Sequence, residues 1–344
     1  MSDARHDEMM SFLNANIAKG FTVESLAGDA SFRRYHRIHL PVEAETGKEH
    51  MTYLLMDAPP EVESVDQFLH VCDILSEAVN VPDIIARDIE RGFLLLQDFG
   101  TVEFAHLIAD DTANKDAYYT KALQTLVQLQ SIDPHADLPI YSAEKLAQEM
   151  DLFSEWFLPF IKVKMSPNAQ KMWQTFKDKI IADIQSQPQV IVHRDYHSRN
   201  LMADKGSDAL GVIDFQDAVI GAYTYDLVSL VRDAYIDYDE NWVEKRIHEF
   251  YKLINAPVDL GSFIAETNIM GIQRHLKVLG IFIRLSERDG KHRYLENIPK
   301  VMRDLCAELS WLQSNHISGV YAEFLAWLEK DVLASYQEKF KKYL

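Results

Sequence analysis

Two short apolar runs in this chain each end in an acid, and that repetition narrows the folds open to it. Val190-Ile191-Val192 leads into His193-Arg194-Asp195-Tyr196-His197-Ser198-Arg199-Asn200 before the chain turns apolar again at Leu201. Val212-Ile213 leads into Asp214-Phe215-Gln216-Asp217. Three β-branched residues that give way to eight polar or aromatic ones read as a strand that stops where its chemistry starts. A solvated loop has no need of two arginines, two histidines, an aspartate and an asparagine in so little space. The two runs together predict Asp195 and Asp214 at the ends of two paired strands, an arrangement able to hold a metal ion.

The intervals suit one chemistry. Asp195, Asn200 and Asp214 give the order acid, amide, acid, with the last on the following hairpin. Asp195 would accept or orient the proton of an attacking hydroxyl. Asn200 and Asp214 offer the hard oxygen ligands that Mg²⁺ prefers, and Mg²⁺ takes only one or two from protein when phosphates and water supply the rest. Phosphoryl transfer asks for little beyond positioning and charge neutralisation, so these three residues suffice in principle.

Composition removes several alternatives. The chain has 344 residues, enough for two lobes with a large core. Its 35 Lys and Arg against 53 Asp and Glu leave a net charge of −18, which argues against nucleic acid or an anionic membrane as partner. The two cysteines, Cys72 and Cys306, form no CxxC pair, so a disulfide framework or cysteine zinc site is not expected. The N-terminal stretch carries no apolar run of signal length, and nothing approaches the roughly 20 apolar residues of a membrane span. A cytoplasmic protein is expected.

The strand signal is concentrated early. Residues 32–40, 51–56 and 92–100 read as strands, with a helix over 65–79 carrying Phe68, Leu69, Val71, Cys72 and Leu75 at helical spacing. From about residue 101 the chain reads mainly helical. One helical face is marked by Tyr119, Ala122, Leu123, Leu126 and Val127, and further helices are expected over 142–160, 169–185, 241–254, 263–286 and 322–342. Within 190–215 the turn at 204–208 lets Leu201-Met202 pair with Leu210 to Ile213. The fold class expected is α+β and bilobal. The N-lobe spans 1–98, nucleotide-binding, with an antiparallel sheet plus a helix; the C-lobe spans 99–344, helical, catalytic and substrate-binding.

HRDYHSRN together with IDFQDA resembles the catalytic and metal loops of the aminoglycoside phosphotransferase family, a branch of the protein-kinase-like fold. The longer strings GDASFRRYHRI, LLMDAPPE, GFLLLQDFG, GVIDFQDAVIGAYTYDLVSLVRDAY and QRHLKVLGIFIRL resemble the bacterial anomeric kinases of N-acetylmuramate and N-acetylglucosamine in cell-wall recycling. The resemblance runs from about residue 26 to 290 and implies ATP as co-substrate, Mg²⁺ as cofactor and an amino sugar as acceptor. It also implies that Asp226, in TYDLVSL, braces the catalytic loop; an acid stabilised at a helix N-terminus is the other reading of that residue. One departure stands out. Protein kinases grip the α- and β-phosphates with a strand lysine, and here Met56 falls at that place; no GxGxxG loop is present either. Arg33, Arg34, His36 and Arg37 form the nearest cationic cluster, and with Ser31 and backbone amides they are the candidates for the phosphate grip. Arg33 and Arg34 point to opposite faces of a strand, so one of the two would reach the nucleotide.

Other residues have two readings each. Gln97 and Phe99 lie in the connection between lobes, whose backbone would meet an adenine edge, or in an ordinary buried strand. His193 closes an apolar run and reads as a packing residue; Asp217 reads as structural. Arg199, Arg232 and Arg274 are candidates to meet an acceptor carboxylate, although arginines in apolar helices more often form buried ion pairs. Two other functions stay open: a kinase of a cationic alcohol such as an aminoglycoside or choline, suited by the acidic balance, and a nucleotide-binding pseudo-enzyme, suggested by the missing lysine.

Overall fold

The computed structural model describes residues 3–26, 33–41, 51–134, 137–204 and 206–344. The chain divides into two units. The first comprises Met1–Lys115 with Arg199–Asp217, the second Asp116–Ser198 with Ala218–Leu344.

In the first unit, α1 (Asp3–Asn16) precedes a five-stranded antiparallel sheet. Its strands are β1 (Thr22–Ser25), β2 (Arg34–His39), β3 (Thr52–Asp57), β4 (Ile84–Asp88) and β5 (Phe93–Gln97), in the order β1-β2-β3-β5-β4. Alternation places His36 and Ile38 of β2 inward. Ile38, Leu55, Phe93 and Leu95 from the sheet meet Met9, Phe12 and Leu13 of α1 in one apolar core. Helix α2 (Asp66–Leu75) follows β3 with Phe68, Leu69, Val71, Cys72 and Leu75 buried, the face expected from the sequence. Helix α3 (Phe104–Asp110) comes after β5, and α4 (Lys115–Gln130) carries the chain into the second unit.

The second unit is helical: α5 (Ala143–Leu152), α6 (Leu158–Phe160) and α7 (Pro167–Gln185), then, beyond the short strands, α8 (Tyr225–Val231), α9 (Glu240–Leu253), α10 (Leu260–Asp289), α11 (Ile298–Ser314), α12 (Gly319–Trp327) and α13 (Leu333–Phe340). Helices α5 and α6 form one rod interrupted by a π-helical turn at Phe153–Phe157, and a second such turn at Leu328–Val332 joins α12 to α13. Helix α10 has 30 residues and a length of about 45 Å; Asp259 caps its start and left-handed Gly290 its end. Among the described residues, no helix is long and apolar enough to cross a membrane.

The strands that carry the motifs depart from expectation in one respect. β6 (Gln189–Val192) pairs with β9 (Val219–Ala222), while β7 (Leu201–Ala203) pairs with β8 (Leu210–Val212) in the register Leu201↔Val212. The two acid-ending runs therefore lie in two separate sheets instead of pairing with each other. The expected 98/99 boundary also differs from the observed division. The β7–β8 hairpin sits on the first unit because its edges are used there: Val212 N–H donates to the Asn80 carbonyl at 2.8 Å and Ala203 N–H to that of Val102 at 2.9 Å. Gly211 is required at this contact, since a Cβ would lie 2.5 Å from the Phe99 ring.

Candidate active site

The residues after β6 form a loop in the second unit, gripped at both ends by buried acids. Asp226, in the first turn of α8, accepts the His193 N–H at 2.6 Å and the Arg194 N–H at 3.0 Å. This is the brace that the resemblance implies. At the far end Asp233, just beyond α8, accepts the Ser198 N–H at 2.9 Å. Between them the Tyr196 hydroxyl donates to the Ala122 carbonyl of α4 at 2.8 Å. His193 is fully buried with its ring edge-on to Tyr196, a packing residue as its place in the sequence suggests.

Asp195 stands inside this frame. Burial works against its charge, but Lys277, Arg274, His197 and His193 outweigh it and hold the carboxyl down at about 2. Asp195 is thus ionised at neutral pH. Both α10 cations are themselves anchored. Lys277 Nζ donates to the Tyr225 hydroxyl at 3.0 Å and lies 3.4 Å from Glu149.

Asn200 and Asp214 belong to the first unit, where the β7–β8 hairpin brings them together. The Asn200 amide lies 3.4 Å from Asp214 Oδ2, and Gln216 Nε2 donates to Asp214 Oδ1 at 2.8 Å. Asp214 is exposed and adopts φ 63°, a left-handed conformation that Asp tolerates better than most side chains. Asp217 is likewise exposed.

In the nucleotide-binding region expected from the sequence, each arginine has an acidic partner. Arg33 pairs with Glu63 at 2.6 Å, Arg34 with Asp57 at 2.9 Å, and Arg37 with Asp98 at 2.6 Å. Asp57 is fully buried and also takes Arg5 of α1 at 2.6 Å, so Arg34 shares its carboxylate. Met56 is buried, and the Tyr35 hydroxyl donates to its sulfur at 3.4 Å. Burial pushes the Tyr35 phenol up; Arg33 opposes this, and Asp214 and Glu63 add to it. Arg33, Tyr35, Glu63 and Asp214 therefore share one electrostatic neighbourhood. Ser31 lies outside the described residues. Gln97 has its N–H and its side-chain oxygen engaged by Asp83, at 2.8 and 3.3 Å. Phe99 is buried against Gly211.

The acceptor candidates separate sharply. Arg199 is exposed, next to Asn200. Arg232 is buried and takes Glu240 together with Glu308 at 3.3 Å and Asp304 at 3.8 Å, so it is an ion-pair residue of the helical core. Arg274 is 6% exposed and donates to the Arg194 carbonyl at 3.0 Å and the Tyr225 hydroxyl at 3.3 Å. Its guanidinium thus bonds the loop backbone directly. Glu149, on α5, escaped the sequence reading. It receives Arg194, Lys277, Gln273 and Tyr141, and its one sequence signal is a charge on the buried face of an amphipathic helix.

A strand-rich antiparallel unit and a helical unit are the architecture of the protein-kinase-like fold. Residues 22–256 match the phosphotransferase enzyme family, and the chain belongs to it. It is 35% identical to the N-acetylmuramate/N-acetylglucosamine kinase of Pseudomonas aeruginosa, over 88% of this chain and 91% of that one. It is 39% identical to the Pseudomonas putida kinase of the same name, over 81% of each chain. Among solved structures, the Plasmodium vivax ethanolamine kinase superimposes with a TM-score of 0.60 at 12% identity, over 86% of this chain and 84% of that one. An ADP-bound aminoglycoside phosphotransferase gives 0.56 at 13%, over 88% and 98%. These two likenesses establish the fold.

Proposed function

We propose that the protein transfers the γ-phosphoryl group of ATP to the anomeric hydroxyl of N-acetylglucosamine or N-acetylmuramate, a step in recycling cell-wall sugars. The observation that carries the transfer chemistry is the Asn200–Asp214 pair, 3.4 Å apart on one hairpin. Two hard donors are what Mg²⁺ takes from protein when phosphates fill its other positions, and the Asn200 amide can turn to present its oxygen. Mg²⁺ bound there would neutralise charge on the β- and γ-phosphates. Asp195 orients the sugar hydroxyl and receives its proton. The hydroxyl oxygen bonds to the γ-phosphorus as the bond to the bridging oxygen breaks, and ADP leaves. The anomeric hydroxyl is the most acidic on the sugar, so a weakly basic carboxylate is enough. The names of the relatives support the choice of acceptor. Arg33, which like Asp214 acts on the Tyr35 phenol, is our choice for the phosphate grip, with Arg199 left as the cation nearest Asn200 in sequence for the acceptor.

The test is the product. With ATP, Mg²⁺ and either sugar, proton-coupled phosphorus spectra should show one new phosphorus coupled to a single anomeric proton. Coupling to two C6 protons would replace the anomeric assignment with a 6-phosphate. Turnover confined to choline or an aminoglycoside, acceptors that the −18 net charge would suit, would move the reading to a cationic alcohol.

A further inference from the structure

Arg194 has φ 76°, left-handed and uncommon for a residue with a Cβ, and it directly precedes Asp195. Its peptide groups and side chain are held from three directions. Asp226 takes the N–H at 3.0 Å, Arg274 Nη1 donates to the carbonyl at 3.0 Å, and Glu149 Oε1 accepts from the guanidinium at 2.8 Å. The last two contacts are tied together. Glu149 Oε2 receives Tyr141, Gln273 at 3.4 Å and Lys277 at 3.4 Å, while the Tyr225 hydroxyl receives both Arg274 and Lys277. Glu149, Arg274, Lys277 and Tyr225 are all buried. The spacing of the two helices is fixed as well: a Cβ on Gly280 would lie 2.3 Å from the Leu152 backbone, so α5 and α10 touch there and set Glu149 against Arg274 and Lys277. Three cations, Arg194, Arg274 and Lys277, face three carboxylates, Glu149, Asp195 and Asp226.

The geometry points to Arg274 and Glu149 as positioning residues of the transfer reaction: a permanently closed clamp that holds the Arg194 peptide left-handed and thereby aims Asp195. A phosphorylated side chain could serve such a loop arginine only when the modification is present; Glu149 supplies the negative charge continuously. The inference rests on Asp195 as the residue that orients the hydroxyl, whichever alcohol is the acceptor. It differs from an acceptor-binding role in what it changes. A clamp acts on turnover, because misaiming a reacting group by an ångström costs roughly 10²-fold in rate. A sugar contact acts on KM.

The test compares Arg274→Ala, Arg274→Lys, Glu149→Gln and Asp195→Asn in the full chain, with N-acetylglucosamine as acceptor, or choline if the parent does not turn over the sugar. Arg274→Ala should lose about 10²-fold in kcat with both KM values within about twofold of the parent, and Arg274→Lys should recover part of the loss. Millimolar guanidinium chloride should raise kcat of Arg274→Ala and leave Asp195→Asn inactive. Glu149→Gln, which keeps the shape and removes the charge, should lower kcat by about tenfold or more, and it stands in if Arg274→Ala fails to fold. Two results overturn the clamp: a raised sugar KM at parental kcat in Arg274→Ala, or parental kcat in Glu149→Gln while Asp195→Asn is dead. Parental turnover in Asp195→Asn removes the role of Asp195 itself, and the clamp with it.

Discussion

Asp195 and Asp214 sit in surroundings built on opposite plans. Around Asp195 the charges are matched within the protein: Arg194 by Glu149, and Arg274 and Lys277 by buried oxygens of Tyr225, Glu149 and the Arg194 backbone. Asp214 is exposed, and its hydrogen-bond partners are the neutral amides of Asn200 and Gln216. Amides orient a carboxylate without cancelling its charge. Both loops use a left-handed residue, Arg194 in one and Asp214 in the other. In the first, the acid is fixed and its charge balanced in advance. In the second, an exposed carboxylate is oriented by amides that leave its charge in place. The difference is one of charge balance: matched ion pairs around Asp195, and neutral donors on Asp214.

The contrast is broken most directly by removing each charge in turn. Asp195→Asn should lower kcat by at least about 10²-fold and leave nucleotide affinity nearly unchanged. Asp214→Asn should lower kcat comparably and also raise the Mg²⁺ concentration for half-maximal activity by about tenfold or more. Asn tolerates the left-handed conformation at 214, so the hairpin should persist. Steady-state kinetics across a Mg²⁺ titration, with nucleotide titration of each variant, makes the distinction. An identical Mg²⁺ dependence in the two variants would erase it.

How much of this was legible in the sequence follows from where each signal is stored. The three-residue set is local: spacing, residue type and flanking strands are what single out Asp195, Asn200 and Asp214 as candidates. Helices α2, α4, α7, α9 and α10 announce themselves through apolar faces several turns long. The edge strand β1, whose burial pattern has no inward residue, gives no alternation to read, and β4 exposes Ile85. The π turns that interrupt the rods at Phe153 and Leu328 leave no mark in periodicity. Arg274 was visible as a cation in an apolar helix. Its partner is a carbonyl 80 residues away, and no composition or spacing encodes that choice. Glu149 stayed hidden for the same reason. The pairing of β6 with β9 was missed because two similar apolar runs made pairing with each other the simpler guess.

The first unit offers the next test. Arg33, just before β2, and Arg34, its first residue, have different obligations. Arg34 shares the fully buried Asp57 with Arg5, whereas Arg33 pairs with the part-exposed Glu63, near Tyr35. If Arg33 grips phosphate, Arg33→Met should raise KM for ATP about ten- to hundredfold and leave the sugar KM near the parent value. Arg34→Met should act mainly on thermal stability. Parental ATP affinity in both variants would reduce the cluster to a strand face and leave Asp214 without a cationic neighbour in the phosphate-binding role.

The smallest expected effect tests the charge balance around Asp195. Its folded carboxyl is held at about 2, with burial opposed by Lys277, Arg274, His197 and His193. For an acid whose value is depressed, the ionised form persists on lowering pH until the folded value is reached. The parent's kcat/KM should therefore show no limb from Asp195 between pH 7 and pH 4. In Lys277→Met the largest opposing charge is gone, and the carboxyl should climb toward the ordinary aspartate value of about 3.9. At pH 4 a larger share of the variant than of the parent would then be protonated, and its kcat/KM should fall relative to its own pH 7 value while the parent holds. Each enzyme is compared with itself, so any uniform loss from the substitution cancels. Dilute enzyme and a return to pH 7 after each assay separate titration from acid unfolding. If parent and variant trace the same profile, Lys277 does not hold the charge of Asp195, and what distinguishes the two acids is geometry alone.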